Sequence, residues 1–408
     1  MGKTIFNHNS IKREFNRRYN NIQFIHMLLF VSSIPHAIWI LFSIYSQPIK
    51  ILSSGSLWIA LILILKNSFL YKRKHYRLID RLILCLLIIT GLQFIRFIIF
   101  DNMENTLTVL TNPINGLCLC IPLLYYIYNY SFTLKYVYRC GLILICISSI
   151  CFQGNYYVLY LSPIIIQYSL HTKKKRIFIY CILLLSLLFI IKDAFIPNEL
   201  TGDTQRAFII ILIYAIIVII AKLYKKYYRL IALCVACISI TLPISLFSYS
   251  IATKESIFTR INDMENEKIG VDTRTFLYTE LLTDLNQKKA FWEGLGIAQG
   301  YNSFYFFKNK TRDVNEVHFL HLLFRGGSLW LFFYMAIIIY SIFYAIKFSK
   351  NYLCLGGSIM LSGYFLAGFI CDINGFNFIH VIIFFFIAAC SSNKWTQLSN
   401  SNVLRLIK

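Results

Sequence analysis

The residues of this sequence best equipped for chemistry are arginines and histidines gathered around one polar stretch. His318, His321 and Arg325 stand at i, i+3 and i+7. On a helix these positions lie within ~60° of one another, so one face would project two imidazoles and a guanidinium at the mouth of a helix bundle. Imidazole titrates near neutrality and suits proton transfer. A guanidinium makes paired hydrogen bonds to phosphate oxygens. The plainer reading of the stripe is polar solvation at a membrane boundary. Arg274 follows Asp272 and Thr273 at the start of an amphipathic segment. A helix N-terminus presents free N–H groups and a partial positive charge, so an arginine there adds to its attraction for an anion. The alternative for Arg274 is a surface ion pair with Asp272 or Glu280. Arg206 opens an apolar run just after Gly202-Asp203, and Arg96 lies inside another. An ionisable residue within a membrane span is a candidate for function, although it can also snorkel to the interface or pair with Asp101.

Other groups nearby carry weaker signals. Asp313 and Glu316 stand close to His318, either to orient it, to act as a base, or as solvated loop charges. Gly294-Leu295-Gly296, with Gly300, marks a turn-rich connection; without a preceding strand this G-x-G is not a nucleotide signature. No carboxylate completes a ligand set around the two histidines, so no metal is expected, and no cofactor. Of the 12 cysteines, Cys234/Cys237 and Cys118/Cys120 are closely spaced, but they sit in apolar runs, where cysteine is usually a small hydrophobe. Cationic groups with neither a nucleotide site nor a nucleophile triad suit transfer from a donor activated in advance on a lipid carrier. Arginines would then stabilise charge developing on a phosphate leaving group.

The elements that must position these residues are membrane spans. The chain has 408 residues, of which 58% are hydrophobic and 14% charged; a soluble chain would carry about a quarter charged residues. Apolar segments fall at about 22–45, 50–65, 82–100, 106–128, 140–153, 156–170, 177–191, 207–221, 230–250, 326–346, 353–371 and 375–391. They are continuous and do not alternate, which argues against a β-barrel. The expected fold is all-α: a polytopic transmembrane helical bundle of about twelve spans with one large, partly helical periplasmic loop. Residues 1–250 form nine spans, 251–325 the loop, and 326–408 the last three spans. Loops this long are usually functional. There are no matched halves of the kind found in inverted-repeat transporters.

The net charge of +22 is distributed by side. Lys72, Arg73, Lys74 and Arg77, then Lys173, Lys174, Lys175 and Arg176, then Lys225, Lys226 and Arg229 all fall on the same side of the expected spans. Basic residues concentrate in cytoplasmic loops. Both termini are therefore expected in the cytoplasm and the long loop outside. The charge orients the protein and implies no nucleic-acid partner. The first span reads as an uncleaved anchor, because some twenty polar residues precede it and no cleavage site follows. Within the loop, Phe276, Leu277, Leu281, Leu282 and Leu285 predict a helix from Asp272 to Phe291, with Asp272 as N-cap. A second helix is expected from about Val314 to Phe324.

Four pieces occur in a characteristic order relative to the spans. They are Thr204-Gln205-Arg206-Ala207 opening a span, Asp272-Thr273-Arg274 early in the loop, Gly294-Leu295-Gly296, and His318-Phe319-Leu320 leading to Gly326-Gly327. In this order and architecture the chain resembles the O-antigen polymerase (Wzy) and O-antigen ligase superfamily. The likeness in architecture covers the whole chain, and in local sequence about residues 201–210 and 272–328. The family often has Ser-Arg-Gly where Gln205-Arg206-Ala207 stands, and His-Asn where His318-Phe319 stands, so either His318 or His321 is the equivalent histidine. The resemblance implies a glycosyltransferase of the bacterial inner membrane. It would join undecaprenyl-pyrophosphate-linked oligosaccharide repeat units at the periplasmic face during lipopolysaccharide biosynthesis. Arg206 and Arg274 would bind pyrophosphate and His318 would activate the acceptor hydroxyl. Arg96, His321, Arg325, Gly294 and Gly296 are the remaining candidates for substrate contact. Membrane lipid and a chain-length regulator protein are the implied partners. The rival readings are an O-antigen ligase delivering polysaccharide to lipid A core, a capsule polymerase, and a lipid-linked oligosaccharide flippase, which would not need so long an outer loop.

Overall fold

The computed structural model describes residues 47–69, 78–100, 157–168, 202–253, 275–303, 310–313, 315–370 and 378–407, with scattered positions between 24 and 31, 134 and 146, and 181 and 188. These residues are mostly helical. Helix α1 is Gln47–Phe69 and α2 is Leu78–Phe100. Two short helices follow, α3 (Tyr157–Tyr160) and α4 (Ser162–Tyr168). Then come α5 (Gly202–Leu223), a 3-10 turn at Lys225–Tyr227, and α6 (Tyr228–Thr253). Among the described residues, three helices are long and apolar enough to cross a membrane: Leu78–Phe100, Lys225–Leu246 and His318–Phe348. The expected spans 22–45, 106–128, 140–153 and 177–191 fall wholly or largely outside the described residues.

The polar segment contributes α7 (Thr275–Gln287) and a two-stranded antiparallel ribbon, β1 (Tyr301–Ser303) with β2 (Lys310–Arg312). The ribbon departs from the all-α expectation. Its strands are three residues long, too short for an alternating pattern to register. Helix α7 is shorter than expected. It ends in a turn where Lys289 takes φ 54° and Ala290 N–H reaches back to the Leu285 carbonyl at 2.8 Å. This six-to-one bond with a left-handed residue is the Schellman ending, usually supplied by glycine. The buried face of α7 is Leu277, Leu281 and Leu285, as the spacing predicted.

Last come α8 (His318–Phe348), α9 (Tyr352–Gly368), α10 (Phe378–Ser391), and the short α11 (Asn393–Thr396) and α12 (Asn400–Ile407). Helix α9 is the hub and packs against α5, α6, α8 and α10. Its small residues explain how, because helices approach closely in membranes where side chains are absent. An added Cβ at Gly356 would come within 2.9 Å of both Pro163 and the Tyr228 hydroxyl. At Gly357 it would meet the Phe386 ring at 2.6 Å, and at Gly363 and Gly368 the rings of Tyr214 and Phe319 at 2.7 Å.

The end of α8 remote from the polar segment is tied to basic elements. Arg229 donates to the Ser349 carbonyl at 2.9 Å, Lys222 Nζ lies 3.6 Å over the Tyr352 ring, and Lys350 N–H bonds the Thr396 carbonyl at 2.7 Å. The Asn351 amide donates to the carbonyls of Trp395 and Leu398 at 2.8 and 3.1 Å. Basic residues thus gather at one end of the α8–α9 pair and the polar segment docks at the other.

Candidate functional site

Helix α8 is broken at Gly327, which has φ 79° and ψ 172°. Only glycine adopts this backbone conformation readily. The break releases carbonyls and N–H groups from the helical ladder, and the segment after α7 takes them up. Leu295 N–H bonds the Phe324 carbonyl at 2.6 Å, and Ser328 N–H bonds the Phe291 carbonyl at 3.0 Å. Backbone packs directly on backbone here. A Cβ on Gly294 would lie 2.6 Å from Gly327 N and 2.8 Å from the Arg325 carbonyl oxygen. A Cβ on Gly327 would collide with the Trp292 carbonyl. The piece Ser328–Phe348 is ~30 Å long at 1.5 Å per residue, the thickness of a bilayer core. Irregular backbone at such depth is tolerated where protein satisfies it.

The break turns the first part of α8 back into the bundle. The Tyr364 hydroxyl lies 3.0 Å from His318 Nε2 and 2.9 Å from the Tyr334 hydroxyl. In a straight helix His318 and Tyr334 would stand ~24 Å apart along the axis, further than two side chains and one shared hydroxyl can bridge. His318, Tyr364 and Tyr334 are all fully buried. The ring of His380 lies 5.9 Å from that of His318, and Phe319 and Tyr364 complete an aromatic wall at 5.6 and 5.9 Å. Tyr334 stacks on Trp330 at 5.3 Å, and the Trp330 indole donates to Thr90 of α2 at 2.9 Å.

His321 and Arg325 sit in the same turn region with different partners. His321 Nδ1 accepts from Asn315 N–H at 3.4 Å, and its ring meets Phe324 edge-on at 5.0 Å. Arg325 donates to the carbonyls of Ile297 and Asp313, the latter at 2.6 Å, with its guanidinium 4.8 Å over the Phe324 ring. The stripe expected to face an open mouth is therefore covered. His318, His321 and Arg325 are buried, because the bend at Gly327 folds them inward and the polar segment packs over them. The Arg325 fork ties residues 297 and 313 together across the ribbon.

Arg96 joins from α2. Its guanidinium donates to the Gly294 carbonyl at 3.1 Å and lies 3.8 Å from the Glu293 carboxylate. Gln93, one turn earlier, donates to the Glu293 carbonyl. Arg96 thus docks the polar segment; Asp101, its expected alternative partner, lies outside the described residues.

No family model matches this chain, and no curated protein or solved structure matches it.

The ribbon and α7 brace the cover. Asp284 is buried and accepts from Asn302 N–H at 3.2 Å, the Asn302 amide at 3.0 Å and Lys288 at 2.8 Å. Ser303 donates to Glu280 at 3.1 Å, and Arg312 pairs with Glu316 at 2.5 Å. Asn315 caps the entry to α8 by accepting from Val317 N–H at 2.9 Å, and its amide reaches the Tyr301 hydroxyl at 3.4 Å. Burial pushes the Tyr301 phenol up to about 12, against the opposing pull of Arg312.

The structure thus brings Arg96, Gly294 and Arg325 together at the Gly327 junction, with His321 and His318 earlier on the same helix and buried. Gly296 lies in the same connection with φ 115°, open to space except for Gln299 at 3.8 Å. Arg206 is the fifth residue of α5; Arg274 and its expected cap Asp272 lie outside the described residues. Among the described residues no cluster of His, Cys, Asp or Glu is arranged to hold a metal ion. Sequence reasoning missed Tyr364, Tyr334, His380 and Gln93. The available signal was a histidine or glutamine inside an apolar run, which is costly unless it has a partner. The tyrosines gave none, being two of 28.

Proposed function

We infer that this chain is a membrane-embedded glycosyltransferase of the O-antigen polymerase kind, with about twelve spans, both termini in the cytoplasm of a bacterium and its polar segment in the periplasm. The observation that carries the reading is the pairing of a buried imidazole, His318, with a hydroxyl chain beneath a polar cover held by Arg96 and Arg325. The cover sits at the end of the helices opposite the basic residues, where the positive-inside rule puts the periplasm. The substrate would be an oligosaccharide repeat unit on undecaprenyl pyrophosphate. The acceptor hydroxyl of a new unit attacks the anomeric carbon of the growing chain. The bond from that carbon to the pyrophosphate breaks and its electron pair leaves with the phosphate. The acceptor proton passes to His318. Arg206 and Arg274 supply the counter-charge for the departing pyrophosphate, in place of a metal. Because His318 is buried, the reaction requires the packing around its ring to open and admit the acceptor.

Deletion of the gene tests this reading. Lipopolysaccharide from the deletion strain should run on a gel as core bearing a single repeat. Bare core would instead identify a ligase or a flippase. Arg274→Ala should abolish long chains while the protein inserts at normal levels; wild-type chain lengths would remove Arg274 from the site.

A further inference from the structure

We propose that the turn between α5 and α6, with the α8–α9 corner it packs on, is a headgroup site for an anionic phospholipid of the cytoplasmic leaflet, its phosphate held by Lys222, Lys225, Lys226 and Arg229. This rests on the membrane placement and orientation inferred above and not on the glycosyltransferase chemistry. Helix α5 ends at Leu223 and α6 starts at Tyr228, joined through the 3-10 turn Lys225–Tyr227. Cations from both ends of this turn close on one corner. From α5, the buried Lys222 lays its ammonium 3.6 Å over the Tyr352 ring, and that ring stacks on Tyr228 at 5.4 Å. From α6, Arg229 donates to the Ser349 carbonyl at 2.9 Å. The exposed Lys350 stands between these two contacts in the chain. Lys225 and Lys226 are exposed on the turn itself. Lys225 is near enough to Lys222 for the two ammoniums to repel.

These charges lack an internal counter-ion. No aspartate or glutamate stands between Gln205 and Lys254, between Val317 and Cys371, or after Asp372. Among the described residues none of the four cations meets a carboxylate, and the attractive contact of the Lys222 ammonium is the Tyr352 ring. A buried charge without an opposite one is costly, and like charges held together add to the cost. A phosphate oxygen among them offsets both, taken by the guanidinium as a fork and by the ammoniums as point charges. The positive-inside bias asks only for charge on this side, which solvated lysines supply. It does not account for a lysine laid into the packing or an arginine fixed on a carbonyl. The flanks select a lipid over a soluble anion. Leu223, Tyr224, Tyr227 and Leu230 are each more than half exposed, so apolar and aromatic surface borders the cations. A soluble phosphate would use the charges alone, whereas a phospholipid covers both. Tyrosine is enriched at the membrane–water interface, and basic pockets between helices on the cytoplasmic side hold anionic headgroups.

The test uses the full chain in detergent, titrated with phosphatidylglycerol or phosphatidylcholine, with bound lipids counted by native mass spectrometry. Phosphatidylglycerol should bind about thirtyfold tighter, and Lys225→Gln/Lys226→Gln should bring the two lipids nearly level, at about fivefold lost per cation. These two side chains are exposed, so the double variant should melt with wild type when no lipid is added. Lys222→Gln and Arg229→Gln should each weaken phosphatidylglycerol about fivefold and leave phosphatidylcholine unchanged. Lys66, in the last turn of α1, carries the same charge on a helix outside the group packed on α9. Lys66→Gln should change binding by less than about twofold, because salt screens a charge that does not touch the headgroup. Equal affinity of wild type for the two lipids, or a Lys66→Gln as damaging as the double variant, overturns the proposal. So does displacement of bound phosphatidylglycerol by millimolar inorganic phosphate, which would make the corner a site for a soluble anion. No arm reads sugar transfer, so a failed glycosyltransferase reading would leave the result standing.

Discussion

Replacing Gly327 by alanine should be the most damaging single-methyl change in the described protein. Gly327 sits at φ 79° and ψ 172°, where a side chain costs ~1–3 kcal/mol in backbone strain. The added Cβ would also strike the Trp292 carbonyl and lie 2.6 Å from Glu293 C and Gly294 N. These are backbone atoms and cannot rotate aside, so the Trp292–Leu295 segment must lift. Lifting breaks the Leu295-to-Phe324 and Ser328-to-Phe291 bonds, at ~1 kcal/mol each. The total is ~3–5 kcal/mol. Gly294→Ala meets the same junction from the other side, 2.6 Å from Gly327 N, and should follow closely. Gly296→Ala is strained by its φ of 115° but meets only Gln299 at 3.8 Å, so it should cost ~1–2 kcal/mol. Gly91 in α2 has nothing within 4 Å, and alanine there should be neutral or stabilise by up to ~1 kcal/mol. Thermal unfolding of the purified protein in detergent reads the order directly. Tryptic cleavage after the exposed Lys288 and Lys289 reads release of the cover. A Gly327→Ala protein that melts with wild type, or one no worse than Gly296→Ala, would refute the backbone-on-backbone junction.

Arg325→Lys should destabilise the cover by ~1–3 kcal/mol, because an ammonium is a point donor and leaves one of the two carbonyls, Ile297 or Asp313, without its partner; a wild-type melting temperature in that variant would contradict the clamp. The Tyr301 phenol is raised from 10.0 to about 12 by burial. A raised acid holds its proton more tightly in the folded state, so its stabilisation is complete below pH 10 and is lost as pH climbs to about 12, where the unfolded chain binds fewer protons. Tyr301→Phe should remove this alkaline loss, read as the difference between the melting curves of variant and wild type, since other tyrosines titrate in both.

Helices and their faces were legible in the sequence because they depend on neighbours a few residues apart. The apolar runs became α2, α6 and α8, and the leucine spacing in the polar stretch marks the buried face of α7. The grouping of arginines and histidines near residues 294–325 was legible too. Their posture was not. A helical wheel put His318, His321 and Arg325 on one open face, but it says nothing of what packs on that face, and the bend at Gly327 and the polar segment bury it.

Glycine in an apolar run gives no sign of whether it serves close packing or a reversal of the chain; the partner that decides lies elsewhere. For Gly327 that partner is the Trp292–Gly294 backbone. For Arg96 it is Gly294, 198 residues along, and for Trp330 it is Thr90, 240 residues back. Local pattern thus settled the helical, membrane-suited character of the chain. The depth of the imidazole, the hydroxyls that hold it and the carbonyls that occupy Arg325 were decided by tertiary packing alone, because burial and hydrogen bonding join residues whose separation in sequence carries no periodic signal.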